Sequence, residues 1–323
     1  MIPPGLAAAP RIALGTLPTS LHPAPRLSEA AGVEIWLKRD DLTGLGLGGN
    51  KVRALEFVLG AATAAGADCL ITGGGPSSNW AMLAALAART RGMDAALVYY
   101  GQPVPYTGNL ALAASIGAGI HFTGDPDRST VESVAEVIAE RMRSVGRNPY
   151  TLGRGGAGPV GALGYLSATG EMAAQAAQLN LTPRQLWLAT GSCGTHAGLV
   201  AGAATYGTPW EIHGVTVSRP AAECIARVAG IAAEACALID SAAPTRAPIV
   251  HAEMLLAAPY GEPSPESAAA ADLVARTEGV FLDPVFAAKA MAGLLAAAAS
   301  GTAQGPVVFL VSGGAPTLFT TGH

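Results

Sequence analysis

Three short segments set chemically capable side chains beside glycine-rich turns. In Leu37-Lys-Arg-Asp-Asp-Leu-Thr-Gly-Leu-Gly-Leu-Gly-Gly-Asn-Lys-Val-Arg53, a strand-like run enters a turn, and Asn50 and Lys51 open a helix. A lysine used covalently must shed its proton, and a helix N-terminus disfavours the ammonium form. The same spacing equally suits an Asn50 N-cap followed by a solvated Lys51. In Ile71-Thr-Gly-Gly-Gly-Pro-Ser-Ser-Asn-Trp80, Ser77, Ser78 and Asn79 follow the turn. Their amides and hydroxyls can bind a carboxylate, with Ser78 moving a proton, or one of them can cap the helix. In Ala189-Thr-Gly-Ser-Cys-Gly-Thr-His-Ala-Gly198, small residues and hydroxyls between strand and helix make either a phosphate cup or an ordinary tight turn.

Several chemistries are excluded by the same spacings. Gly73 and Gly75 match a dinucleotide fingerprint, but Ser78 takes the place of the third glycine. Val98-Tyr-Tyr-Gly101 stands where the ribose-binding acid belongs, so a nicotinamide oxidoreductase is a weak alternative. No G-x-S-x-G elbow and no G-x-x-x-x-G-K-[ST] loop occurs at the third turn. Cys69, Cys193, Cys224 and Cys236 form no C-x-x-C pair, and the 6 histidines show no H-x-x-x-H spacing, so no metal site is expected. The cysteines read as reduced, buried thiols.

The elements that must carry these turns alternate. Apolar, β-branched runs predict strands at 33–38, 69–72, 95–99, 119–122, 186–189, 212–217 and 307–311. Alanine-rich stretches predict helices at 51–65, 79–91, 131–144, 159–179, 221–238, 264–277 and 285–299. Such alternation predicts parallel sheets with helices on both faces, with ligands beyond the carboxyl ends of the strands. The 323 residues suggest about two domains or one large unit with a lobe. A chain that is 50% hydrophobic and 13% charged can bury a large core. Its mean hydropathy of +0.37 comes largely from small residues, and no run of ~20 apolar residues suggests a membrane span. A net charge of −4 without a dense basic run argues against nucleic acid. The opening residues lack a secretion signal's basic region, so a cytoplasmic protein is expected.

Taken in order, KRDDLTGLGLGGNKVR, GGGPSSNW, ATGSCGTHAG, ARTEGVFLDPVFAAKAMAGL and VSGGAP resemble the D-cysteine desulfhydrase / 1-aminocyclopropane-1-carboxylate (ACC) deaminase family. The resemblance runs from about residue 17 to 319. It implies an α/β, two-domain, fold type II pyridoxal-phosphate enzyme similar to the tryptophan synthase β subunit. Each domain would be an open, mostly parallel sheet flanked by helices. Residues 1–51 and 159–323 would form the large cofactor domain and 52–158 the small one. By the resemblance, Lys51 forms the Schiff base with pyridoxal 5'-phosphate, beside Asn50, and Asn79 contacts the phenolic oxygen. Gly191, Ser192, Cys193, Gly194 and Thr195 correspond to the phosphate cup, and Ser312 to the C-terminal cofactor contact. Ser78 handles protons, with Ser77 on the substrate, and Tyr260 matches a tyrosine near the substrate. A homodimer acting on a small-molecule amino-acid substrate is also implied.

This chain departs from the family pattern near the substrate. Trp80 replaces His or Gln, Phe286 replaces the tyrosine of DPVY, and Ala287 replaces the Glu or Thr facing the pyridine nitrogen. Ala54 replaces a basic residue after GGNK-x-R. Phe cannot exchange a proton and Ala cannot pair with a ring nitrogen. The departures disfavour ACC deamination and suggest β-elimination or β-replacement. They also suggest a more apolar pocket, lined by Trp80 and Phe286, that prefers larger or less polar amino acids. ACC deaminase or D-cysteine desulfhydrase proper stays as one alternative, and a catalytically weakened relative that only binds as another, the latter opposed by the retained Lys51 and cup.

Overall fold

The computed structural model describes residues 2–252 and 261–319. In chain order its elements are α1 (Pro4–Ala8), β1 (Leu21–Pro23), α2 (Pro25–Ala31), β2 (Ile35–Arg39), α3 (Lys51–Ala64), β3 (Cys69–Gly74) and α4 (Asn79–Thr90). There follow β4 (Asp94–Tyr99), α5 (Gly108–Ser115), β5 (Gly119–Phe122), α6 (Thr130–Ser144), β6 (Pro149–Thr151) and α7 (Pro159–Gln178). The chain continues through β7 (Gln185–Thr190), α8 (Gly194–Tyr206), β8 (Glu211–Thr216), α9 (Ala221–Ala237), β9 (Ile249–His251), α10 (Pro265–Glu278), α11 (Ala287–Ala299) and β10 (Val307–Val311).

Two sheets result. One has the order β1-β2-β10-β7-β8-β9 and is parallel except for β1; the other, β5-β4-β3-β6, is wholly parallel. The second sheet's strands lie in sequence between β2 and β7 of the first. Period-2 alternation explains how each strand feeds two cores. In β10, Val307, Phe309 and Val311 pack toward α10 and α11, while Val308 and Leu310 pack toward α7, α8 and α9. In β3, Ile71 faces α6 and Leu70 faces α3 and α4. Both sheets are therefore covered on both faces, as near-continuous apolar strands require.

The fourteen strand and helix segments predicted above correspond to elements of the structure. Short β1, β6 and β9, and helices α1, α2, α5 and α8, are additional. Three-residue strands and one- to two-turn helices carry too little periodicity to stand out, and α8, though 13 residues long, buries every residue from His196 to Gly202 and so shows no one-sided pattern. None of the described helices is long and apolar enough to cross a membrane.

Under the first turn of α3 lies a buried charge cluster. The Arg53 guanidinium donates to Asp40 through Nε (2.7 Å) and Nη2 (2.9 Å), and to Glu171 through Nη1 (2.9 Å) and Nη2 (2.8 Å). Lys38 donates to Glu171 (2.5 Å) and to Gln175 (2.7 Å). Tyr165 and Thr19 donate hydroxyl hydrogens to Asp40. Burial opposes ionisation of Asp40 and Glu171, but Arg53 outweighs it and holds both carboxyls below their ordinary range. Helix α7 comes close enough to receive this cluster because a Cβ on Gly164 would stand 2.3 Å from the Arg53 carbonyl oxygen.

Candidate active site

A cleft of about 150 Å³ opens where the carboxyl ends of β3, β4, β7, β8 and β10 meet. Asn50, Lys51, Ser77, Ser78, Asn79, Trp80, Gly191, Ser192, Cys193, Thr195, Phe286 and Ser312 all line it. Gly194 opens α8 immediately behind them. Tyr260 lies outside the described residues.

Lys51 is the first residue of α3. The chain has three lysines, and the other two are elsewhere: Lys38 in the buried charge cluster and Lys289 within α11. Lys51 has no hydrogen-bond or ion-pair partner among the described residues, and beside burial only the Cys193 thiol acts on its charge. The protein packed around it lowers its pKa from 10.5 to about 8. Asn50, expected as a side-chain cap, does not cap α3. Its Nδ2 instead donates to Thr195 Oγ1 (3.0 Å), and its backbone N–H donates to the Ser312 carbonyl (2.9 Å). One residue thus ties together the lysine turn, the third glycine turn and the end of β10.

The turn at 191–195 has the features of an anion cup. Cys193 sits at φ 77°, in the left-handed region that costs a non-glycine residue ~1–2 kcal/mol. This bend directs the chain into α8 with no side-chain cap, leaving helix N-terminal amides for a ligand. Ser192 Oγ donates to the Gly155 carbonyl (3.3 Å), which packs the loop after β6 onto the cup.

Across the cleft, Ser78 caps α4: its Oγ accepts from the Ala81 N–H (3.2 Å) and so retains its own proton. Asn109 on α5 donates to Asn79 Oδ1 (2.7 Å) and to the Ser77 carbonyl (2.9 Å), fixing both. With Oδ1 engaged, Asn79 presents Nδ2 beside Gly314, 3.2 Å from where a Cβ there would stand. Trp80 is 2% exposed and donates its indole N–H to Thr72 Oγ1 (2.8 Å). Its ring lies against Gly156, at φ 63°, where a Cβ would come within 2.2 Å of the indole. Trp80 therefore holds the loop before α7 and offers the cleft only ring surface.

Behind Phe286 and Ala287, the Asp283 carboxylate accepts from the N–H groups of Val285 (3.2 Å), Phe286 (2.9 Å) and Ala287 (2.8 Å), capping α11. Burial nevertheless raises its pKa to about 6. His196 lines the cleft with Nδ1 3.1 Å from Thr190 Oγ1, and burial lowers its pKa to about 4, so it is neutral at pH 7.

The cleft is not the apolar pocket expected from Trp80 and Phe286. Tyr100, Arg128, Arg154, Ser218 and Arg219 also line it. These residues come from loops distant in sequence, and none of them carries a local motif. The residues that are present fit pyridoxal phosphate: an unpaired, readily deprotonated lysine faces an uncapped helix N-terminus flanked by hydroxyls.

Comparison with known proteins agrees with this fit. The family model described as pyridoxal-phosphate dependent enzyme matches residues 12–313. A putative 1-aminocyclopropane-1-carboxylate deaminase of Pyrococcus abyssi is 37% identical over 318 residues, 98% of this chain and 96% of that one. A D-cysteine desulfhydrase of Serratia proteamaculans is 37% identical over 330 residues, 97% of this chain and 96% of its own. Among solved structures, an ACC deaminase homologue superposes with a TM-score of 0.92 at 35% identity, covering 98% of this chain and 95% of that one.

Proposed function

The chain belongs to the pyridoxal-phosphate dependent enzyme family, and from that premise we propose that it is an amino-acid lyase or deaminase, or a β-replacement enzyme, that works at Cα through Lys51. The observation that carries this reading is Lys51 itself, which lines the cleft without a charge partner and with a pKa of about 8. Bound pyridoxal phosphate supplies an electron sink for the bonds at Cα.

This chain's residues would divide the remaining work. Lys51 Nζ is the amine for cofactor attachment and for moving the Cα proton. Gly191, Ser192, Cys193, Gly194 and Thr195 would hold the phosphate, with Asn50 bracing Thr195. Asn79 and Ser312 would contact the cofactor ring. Ser77 and Ser78 stand at the N-terminus of α4, where N–H groups favour a substrate carboxylate, and Ser78 keeps a proton to give. Trp80 and Phe286 would shape the substrate space, and Tyr260 enters by resemblance as a further proton-handling residue.

The finer choice of reaction follows from what is missing. Phe286 offers no exchangeable proton and Ala287 no acid, which favours elimination or replacement over ACC deamination. Residues 52–158, which contain all four strands of the second sheet, are proposed as the small domain; 1–51 and 159–323 would form the cofactor domain. Four free cysteines suit a reducing, cytoplasmic setting, and a homodimer is proposed by analogy.

The test is to add D- and L-amino acids, β-substituted alanines and ACC to the cofactor-loaded protein. Absorbance change with release of a 2-oxo acid is the expected result for at least one of them. No response to any member would reject the proposal.

A further inference from the structure

The charge of the cleft is one-sided. Lys51, Arg128, Arg154 and Arg219 line it, and no aspartate or glutamate does so among the described residues. Low-dielectric walls focus such a field on whatever enters. Two anionic groups are already accounted for in the proposed function: a cofactor phosphate at the cup and a substrate carboxylate at the start of α4.

Arg219 belongs with the phosphate. The Cys193 thiol in the cup, raised chiefly by its contact with Cys224 and by burial, also feels the positive charge of Arg219. Arg219 is further held by Glu223 on α9. Arg128 and Arg154 stand on the other side, just before α6 and just after β6. The Arg128 guanidinium lies 5.6 Å from the centroid of the Tyr100 ring. Tyr100 Oη in turn reaches Gly75, standing 2.8 Å from where a Cβ there would be. One ring thus spans from Arg128 to the turn that bears Ser77.

Arg154 is aimed by an acid outside the cleft. Glu132 accepts from its Nε (2.7 Å) and its backbone N–H (3.3 Å), leaving both terminal nitrogens unengaged among the described residues. The turn that bears Arg128 is closed by its own acids: Asp125 accepts from the Asp127 N–H (2.8 Å) and Asp127 from the Ser129 N–H (2.9 Å), and the Asp127 carboxylate also feels the charge of Arg154.

Resting on the amino-acid reading above, we infer that the substrate carries a second anionic group on its side chain, recognised by Arg128 and Arg154. Carboxylate and phosphate share the required chemistry, since a guanidinium binds either through paired donors.

Matched pairs test this in the cofactor-loaded enzyme: aspartate against asparagine, glutamate against glutamine, and O-phosphoserine against serine, each as both enantiomers. The expected result is a kcat/KM at least tenfold higher for the acidic member of one pair, shrinking as salt is added. The carboxylate and phosphate arms distinguish the two sources. An Arg128→Gln, Arg154→Gln double variant should collapse that ratio at least tenfold, and Arg128→Lys, Arg154→Lys should restore most of it. Equal or better turnover of the neutral members, or a ratio unchanged by the Gln variant, overturns the inference while leaving the amino-acid reading intact. No response to any pair overturns the inference, and the amino-acid reading falls with it only if the wider panel of amino acids, β-substituted alanines and ACC is silent too.

Discussion

Arginine–carboxylate pairs occur in two settings in this protein. Beneath Lys51, Arg53 is 2% exposed and is fully engaged with Asp40 and Glu171. At the cleft, Arg154 and Arg219 are half-exposed and leaned against Glu132 and Glu223, acids that face solvent. The buried cluster braces the first turn of α3, the helix that begins at Lys51. The rim pairs place their acids outside the cleft, so its interior remains positive. The same two side-chain types therefore position a reactive amine in one place and offer charge to a ligand in the other.

That contrast is broken most severely from the inside. Arg53→Met should cost about 3–5 kcal/mol in urea unfolding, because Asp40 and Glu171 are left in low dielectric without their main partner. A loss below about 1 kcal/mol would mean the cluster is not what fixes the start of α3. Next in size is the pH response of the amine at the start of that helix. Lysine attacks only when neutral, and with its pKa lowered from 10.5 to about 8 the neutral fraction climbs steeply up to about pH 8 and then levels off. Each pH unit below that changes it about tenfold. Borohydride-trapped attachment of pyridoxal phosphate to the cofactor-free protein should follow that curve, and a rate still climbing at pH 10 would contradict it.

The cup comes third. Charge-assisted hydrogen bonds are worth about 1.5–3 kcal/mol each, so Ser192→Ala with Thr195→Val should weaken pyridoxal-phosphate binding at least tenfold. Unchanged affinity would move the phosphate elsewhere. The smallest effect belongs to the rim, where exposed ion pairs contribute about 0–1 kcal/mol. Glu132→Gln should leave the unfolding midpoint nearly unchanged, and a large drop would make the rim a structural device like the interior.

What the sequence reveals follows the same division. Lys51, the Ser77–Asn79 turn and the cup at 191–195 are legible because each is a continuous strand–turn–helix segment whose chemistry lies within a few residues. The interior cluster is not, since Arg53 meets its acids across 13 and 118 residues and each partner alone reads as surface charge. The rim is less legible still: Arg128, Arg154 and Arg219 sit on three separate loops, and only folding turns them into one charged wall. Trp80 illustrates the limit for a single side chain. Its place beside the cleft follows from the motif, but its anchoring to Thr72 and its pressure on Gly156 depend on β3 and on the loop after β6.

The central claim is that one lysine of three carries the chemistry. Borohydride reduction of the pyridoxal-phosphate-loaded protein, followed by peptide mapping, tests it directly. The label should fall on Lys51 alone and vanish in Lys51→Ala. Label on Lys38 or Lys289, or a reducible adduct that survives in Lys51→Ala, would contradict it.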